Sequence, residues 1–441
     1  TPGSDIVITG TDNTIKADHF EVNSHIGFKD NLTLEADKLT LGGEQTATFN
    51  VKQLVAHDEV VFKDLTKSGA GADNRFVTGD NLIINAVGNG SGDKATTSGN
   101  AIFVGNSNNV AQDPSVEFDP TVFQVAGGDV THTGSLAANW GAEVKIGGAA
   151  GSTDEHIESA AGHDASLTIA SGDSAEFRVS EGTVNIVGNG SGATSTLDIS
   201  NVSRDKTTFN KSDKDTTAKI NIGSDGNAPV SDARMVINDR QLDKMFNVTR
   251  GFRVDSTFSP DNHNKGANVV IGSTGTLEIK KNASGEATYS GQESGNYTDE
   301  QVQLDVSLLR NGDQNTTENN FIYFKNGGRL EADNLQLMHE SYSTTTNAAS
   351  HVLDIGHGTV AADKLEPRHR TNGQNIVVKN GTLEVGSELK SFTNANATDG
   401  PALVLGDQDT AAASGGANLN LGTVKYTANA DTNGLHDGTY T

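Results

Sequence analysis

The chain has 441 residues, of which 34% are hydrophobic and 5% aromatic, with 50 glycines, seven prolines and no cysteine. Its formal net charge of −25 sets up a field that repels nucleic acid and anionic membrane surfaces. The missing cysteine excludes disulfides, thiol catalysis and thiolate metal sites. What remains for a core is Val, Ile, Leu, Ala and Phe interleaved with Asp, Asn, Gly, Ser and Thr, the residues of strands and turns.

Thr1-Pro2-Gly3-Ser4 lacks the basic and apolar regions of a signal peptide, so the chain reads as a mature or trimmed segment. Alternation begins at once: NTIKADHFEV from Asn13 and NLTLEADKLTL from Asn31 place apolar residues at every second position, the signature of strands rather than helices. VGNGSG then occurs twice, at Val87 and at Val187. A dinucleotide loop needs G-x-G-x-x-G between a strand and a helix. The residues after Gly92 (DKATTSG) will not form one, so both runs are read as corners or exits where glycine frees the backbone. Ser171-Gly172-Asp173-Ser174 is similar to a serine-protease nucleophile context but lies between two alternating runs, and is read as a turn.

Farther along, a ten-residue unit recurs. It reads FRVSEGTVNI from Phe177, VVIGSTGTLEI from Val269, IYFKNGGRLEA from Ile322, LDIGHGTVAA from Leu353 and IVVKNGTLEV from Ile376. Val179 is matched with Val184, Ile271 with Leu277, Phe324 with Leu330, Ile355 with Val360, and Val378 with Leu383. This spacing turns one corner and keeps both apolar side chains on the inner side. The fragment EAD-x-L at Glu331 returns as AADKL at Ala361. The steps from Leu330 to Val360 to Leu383 suit one turn of a parallel β-helix. Three stretches break the pattern. Residues 229–262 are expected to leave the solenoid as an inserted loop or short helix, because Met235, Leu242 and Met245 fall at helical spacing. Gly285–Gln303 and Arg310–Asn320 are expected to project as loops, where binding usually resides.

Chemistry-bearing groups are sparse. His351, His357 and His369 lack the i, i+2 or i, i+4 spacing that aims two rings at one ion. Asp431-Thr432-Asn433-Gly434 and Ser224-Asp225-Gly226-Asn227 resemble calcium loops without continuing to the closing Glu. Neither metal nor cofactor is expected, and no catalytic residue is assigned. Lys280, Lys281, Arg368 and Arg370 form two basic islands on an acidic chain and are the candidate ligand-binding residues, suited to an anionic glycan.

The repeated GTVNI, GTLEI, GTVAA and GTLEV corners, the Asn/Asp/Gly/Ser/Thr-rich loops, the acidity and the missing cysteine together resemble the passenger of a Gram-negative type V autotransporter, most of all the AIDA-type adhesins. The resemblance implies an all-β fold, a right-handed parallel β-helix running as one passenger domain over 1–441 with a few protruding loops. It implies export through a C-terminal outer-membrane barrel of the precursor to the bacterial surface or beyond. It implies adhesion rather than enzymatic activity, with a host matrix protein or glycan, of fibronectin or glycosaminoglycan type, as partner, and a role in biofilm formation. Self-association is the first alternative and a polysaccharide-degrading β-helix enzyme the second.

Overall fold

The computed structural model describes residues 13–22, 32–41, 48–49, 52–62, 77–78, 81–104, 122–138, 142–170, 175–180, 182–203, 206–210, 218–223, 231–242, 248–249, 252–253, 267–281, 301–312, 321–339, 351–369, 376–390, 403–405, 417–421, 424–427 and 438–440. They are almost entirely β, and nearly all pairings are parallel, each strand lying beside its counterpart one coil later. The fold is that of a parallel β-helix. Two compact units divide the chain: residues 1–208 with 229–233, and residues 209–228 with 234–441.

In the first unit the strands are β1 (Asn13–Val22), β2 (Leu32–Leu41), β3 (Gln53–Phe62), β4 (Asn81–Asn85), β5 (Lys94–Val104), β6 (Val122–Ala138), β7 (Glu143–Gly147), β8 (Ala165–Ile169), β9 (Phe177–Ser180), β10 (Thr183–Val187) and β11 (Thr194–Asp198). They form three ladders. The first stacks Ile15, Leu34, Leu54, Leu82, Phe123, Val144 and Val184 in register. A second stacks Phe20, Leu39, Val60, Thr97, His132 and Ile169. The third joins Ile102, Leu136 and Phe177. Leu34, Leu54, Leu82, Phe123, Val144 and Val184 are all buried, each contributing roughly 1.5–3 kcal/mol of transfer free energy. Because each coil buries its inner face only against its neighbours, such contributions accumulate coil by coil.

β1, β2 and β3 each serve two ladders by bending at the motif A-D or A-H-D: Ala36 pairs with Ala56, and the register slips by one before Lys38 meets Glu59. β3 thus carries one extra residue at its corner, a bulge. The two VGNGSG runs make the same corner, from first to second ladder. The first copy exposes Gly88, Gly90 and Gly92 at φ of 74°, 79° and 74°, a region that side chains other than Gly rarely enter. Val187, which opens the second run, points outward. The inward positions of β10 are Val184 and Ile186.

Between β7 and β8 the chain needs a longer path, and it folds over the outside of the first ladder. A single helical turn, α1 (Glu155–Glu158), is capped by Asp154, whose side chain accepts from the His156 N–H. Ile157, Ala160 and Ala149 cover the outward-facing Val55 and Ile83 together with Ala126 and Val87, making a small second core outside the solenoid.

In the second unit the strands are β12 (Ala218–Ile222), β13 (Asp232–Asn238), β14 (Ala267–Ile271), β15 (Gly275–Lys280), β16 (Val302–Asp305), β17 (Leu309–Asn311), β18 (Ile322–Phe324), β19 (Arg329–His339), β20 (His351–His369), β21 (Ile376–Lys390), β22 (Leu403–Leu405), β23 (Ala417–Leu421) and β24 (Val424–Thr427). Three ladders recur. Ile220, Val269 and Ile322 stack in one. Leu277, Leu330, Val360, Leu383 and Leu419 stack in the next, reproducing the 30- and 23-residue steps read from Leu330, Val360 and Leu383. Val302, Leu335, Leu365, Leu389 and Tyr426 stack in the last. All five matched pairs of the repeat, from Val179 and Val184 to Val378 and Leu383, are buried; the first three pairs lie on consecutive strands at either side of a corner, and the last two lie within the single long strands β20 and β21.

The expected loop or helix at 229–262 is corrected over Asp232–Asn238, which is a strand with Met235 and Ile237 fully buried. The same methionine satisfies a helical and a strand pattern, and the neighbouring ladder supplies the hydrogen bonds that decide for the strand. Val248–Thr249 and Phe252–Arg253 form a short antiparallel pair. Val302 and Gln303 fall in β16 and Arg310 and Asn311 in β17, so the two expected projections are shorter than their sequence bounds. Met245, 171–174, 224–227, 285–300, 313–320, Arg370 and 431–437 lie outside the described residues.

Candidate functional site

The second ladder of the second unit carries an open trough of about 550 Å³. Strand side chains alternate between the core and the surface, so register turns residues far apart in the chain into outward rows. One row crosses β15, β19, β20 and β21 as Glu278, Glu331, Ala361 and Glu384. The next, two residues on at the bend, contains Lys280, Asp333, Asp363 and Gly386, all lining the same trough. Ala332 pairs with Ala362 and Asn334 with Lys364, which brings Asp333 abreast of Asp363. Opposite Asp363, β21 bulges. There the Ser387 hydroxyl donates to Asp363 Oδ2 at 2.8 Å, and a Cβ on Gly386 would lie 2.7 Å from Asp363 Oδ1. Ala361 and Gly386 therefore leave a gap in both rows.

Two guanidiniums brace the wall. Arg234 Nε donates to Glu278 Oε2 at 2.9 Å, and its Nη2 reaches Glu331 Oε1. Arg329 Nε donates to Glu331 Oε2 at 3.0 Å, and its Nη1 to Glu384 Oε2 at 2.6 Å. Burial works against the charge of each arginine, but the paired carboxylates outweigh it and raise both pKa values. Glu278, Glu331 and Glu384 are thus engaged, whereas Asp333 and Asp363 present exposed carboxylates at the bend.

The candidate residues read from sequence divide. Lys280 lines the trough and is exposed, but its surroundings are mainly acidic. Lys281 turns away: its ammonium pairs with Asp239 Oδ2 at 2.8 Å and donates to the Gln301 carbonyl at 3.5 Å. The Gln301 amide in turn holds Glu366, which Gln336 also binds at 2.7 Å. Arg368, two residues on, pairs through its backbone with Met338. Lys281 is therefore linked through Gln301 to Glu366, two residues from Arg368 on the same strand, a connection invisible in the linear chain. Arg329, Glu331, Asp333, Asp363 and Glu384 were missed, although the returning A-D of EADNL and AADKL marked the same corner on successive coils.

A second polar cluster lies on the first unit, where α1 meets the solenoid. Glu35 faces Lys16 at 2.7 Å, His57 at 3.2 Å and His156 at 3.8 Å. Burial alone would raise its pKa, but Lys16, His57 and His156 together hold the carboxyl below the ordinary range. His57 Nδ1 donates to the Asn85 carbonyl at 2.7 Å. Among the described residues, no group of three His, Asp or Glu side chains is arranged to hold a metal ion. The cluster fastens the edge of the insertion.

Compared with known proteins, the chain matches no protein-family model, and no curated protein or solved structure is significantly similar to it.

Proposed function

We propose that this chain is the exported passenger segment of a Gram-negative bacterial surface adhesin of the autotransporter kind, and that it attaches the cell to host matrix protein or cell-surface glycan. The observation that carries this reading is the trough. It is a polar surface whose described lining comes from strands at regular ladder positions. Solenoids use extended faces of this sort to bind, and many weak polar contacts become useful when cells present many copies. Glu278, Glu331 and Glu384 are held in ion pairs with Arg234 and Arg329, which makes the wall a braced polar surface suited to binding.

A second reading, self-association, is favoured by the same wall. Its charges run Arg234, Glu278 and Glu331, Arg329, Glu384 across successive strands, a pattern that a second copy could meet with opposite charges. A sulfated glycan would need a surface other than the trough, whose carboxylates outnumber its cations.

The purified chain is expected to bind saturably to a matrix protein, to a glycan or to itself in a solid-phase array with analytical ultracentrifugation alongside. Absence of all three overturns the adhesin reading. Cleavage of any polysaccharide in a parallel activity screen would overturn it in favour of an enzyme.

A further inference from the structure

We propose that the trough on β15, β19, β20 and β21 binds a saccharide through a hexose unit carrying a free amine. The inference rests on the adhesin reading and narrows it to one site and one ligand chemistry.

The argument begins with shape. The two outward rows are two residues apart, about 6.7 Å, and adjacent strands are about 4.8 Å apart. Where Ala361 and Gly386 omit long side chains, the gap spans parts of two strands, and the whole trough of about 550 Å³ lies in the range of small-ligand sites. Its floor is apolar: Ala332, Ala361 and Ala362 line it and are buried. One face of a pyranose ring, lined with C–H groups, can rest on such a floor while the ring edge presents hydroxyls outward.

Rim chemistry follows. Acceptors stand on both sides, Glu331 and Glu384 along the wall and Asp333 and Asp363 at the bend, and ionised carboxylates only accept. A ligand with donors around its whole edge matches this arrangement. Of the two guanidiniums that brace the wall, Arg329 lines the trough itself and is able to donate to a ring or glycosidic oxygen.

Charge then selects among sugars. Five carboxylates line the trough against Lys280 and Arg329, and Arg234 behind the wall offsets one more, leaving an excess of negative charge. Uronates and sulfates are disfavoured, and a protonated amine is favoured beside Asp333 and Asp363, which no guanidinium among the described residues engages. A lone lysine side chain would satisfy the charge but would leave the alanine floor and the opposite row of acceptors unused.

The experiment titrates the full chain by calorimetry at low salt with a glucosamine oligosaccharide, its fully N-acetylated counterpart, a heparin oligosaccharide and oligolysine. The glucosamine oligomer is expected to bind saturably, and at least about tenfold more tightly than the others. Salt should weaken it, because exposed charges are screened over about 8 Å at physiological ionic strength. Ala361→Gln fills the gap without adding charge, at a position whose row neighbours Glu331 and Glu384 already carry side chains of that length. It should reduce affinity about tenfold or more. The double substitution Asp333→Asn with Asp363→Asn should do the same through charge alone, and far-UV circular dichroism checks the fold of both. Equal or tighter binding of oligolysine, an unchanged affinity in both variants, or no binding of the glucosamine oligomer overturns the proposal. If the last result accompanies binding to matrix protein, to another glycan or to itself, only the ligand assignment fails and the adhesin reading stands.

Discussion

Asn89 and Asn189 occupy the same place in two copies of VGNGSG, yet they do different work. Asn89 is part-exposed and its amide donates to the carbonyls of His57 and Lys94 at 3.0 and 2.8 Å. Asn189 is fully buried. Its amide donates to Ala126, Ala160 and His163, and its carbonyl oxygen accepts from the Ala149 N–H at 2.7 Å. Losing buried partners costs more than losing exposed ones, so Asn189→Ala should destabilise the first unit by roughly 2–4 kcal/mol and Asn89→Ala by about 1 kcal/mol. Urea titration followed by circular dichroism measures both, and equal effects would show that the buried network carries no special weight. His132 offers a second test. It sits inward in a hydrophobic ladder, hydrogen-bonded to the Thr97 hydroxyl at 2.8 Å and to the Ser135 carbonyl at 3.0 Å, and burial lowers its pKa below 6.5. Below pH 6.5 the unfolded chain binds a proton that the folded chain refuses. The stability tied to neutral His132 is therefore complete above pH 6.5 and is lost as pH falls through the lowered folded value. Thermal midpoints measured from pH 7 to pH 5 should fall, and less steeply in His132→Leu.

At the scale of elements, the insertion around α1 shows how a solenoid accepts a longer coil. Its apolar residues cover Val55 and Ile83. Its backbone is held from one side by Asn85, whose amide donates to the His156 carbonyl and the Ser159 hydroxyl, and from the other by Asn189. α1 itself, four residues long, is too short to be stable alone and exists because both neighbouring coils grip it. Replacing 148–164 by a GNGSGD turn, which already makes this corner in the first copy, should leave the ladders paired but uncover Val55 and Ile83. The expected readout is increased binding of a hydrophobic dye and a lowered thermal midpoint, with strand content retained on circular dichroism. Loss of the β signal would show instead that the insertion is needed for the coils to stack.

At the scale of the whole molecule, each ladder couples a residue mainly to its counterparts one coil away, so damage should stay local. Leu383, buried between Val360 and Leu419, provides the test. Leu383→Ala is expected to cost roughly 2–5 kcal/mol. Hydrogen exchange should quicken in His351–His369 and Ala417–Leu421 and stay unchanged in Ala218–Ile222 of the same unit. Uniform loss of protection would mean that the unit unfolds as one cooperative body.

Fold class was legible in the sequence because its physical basis is local. A strand alternates its faces every residue, and an inward apolar residue on either side of a glycine corner marks the repeat without reference to any distant segment. The buried pairs from Val179 and Val184 to Val378 and Leu383 were readable for that reason, as was the register of Leu330, Val360 and Leu383. Other features had no local mark. Met235 fits helix and strand equally until a neighbouring ladder offers its hydrogen bonds. Asn89 and Asn189 are identical until an adjacent coil arrives to bury one of them. The trough joins Glu278, Glu331, Ala361 and Glu384, whose spacing follows from coils of unequal length, so only the tertiary register could place them in a row. What the sequence determined by itself was the inner face, where periodicity suffices. The outer face, which carries the proposed binding surface, was decided by which coils stack on which.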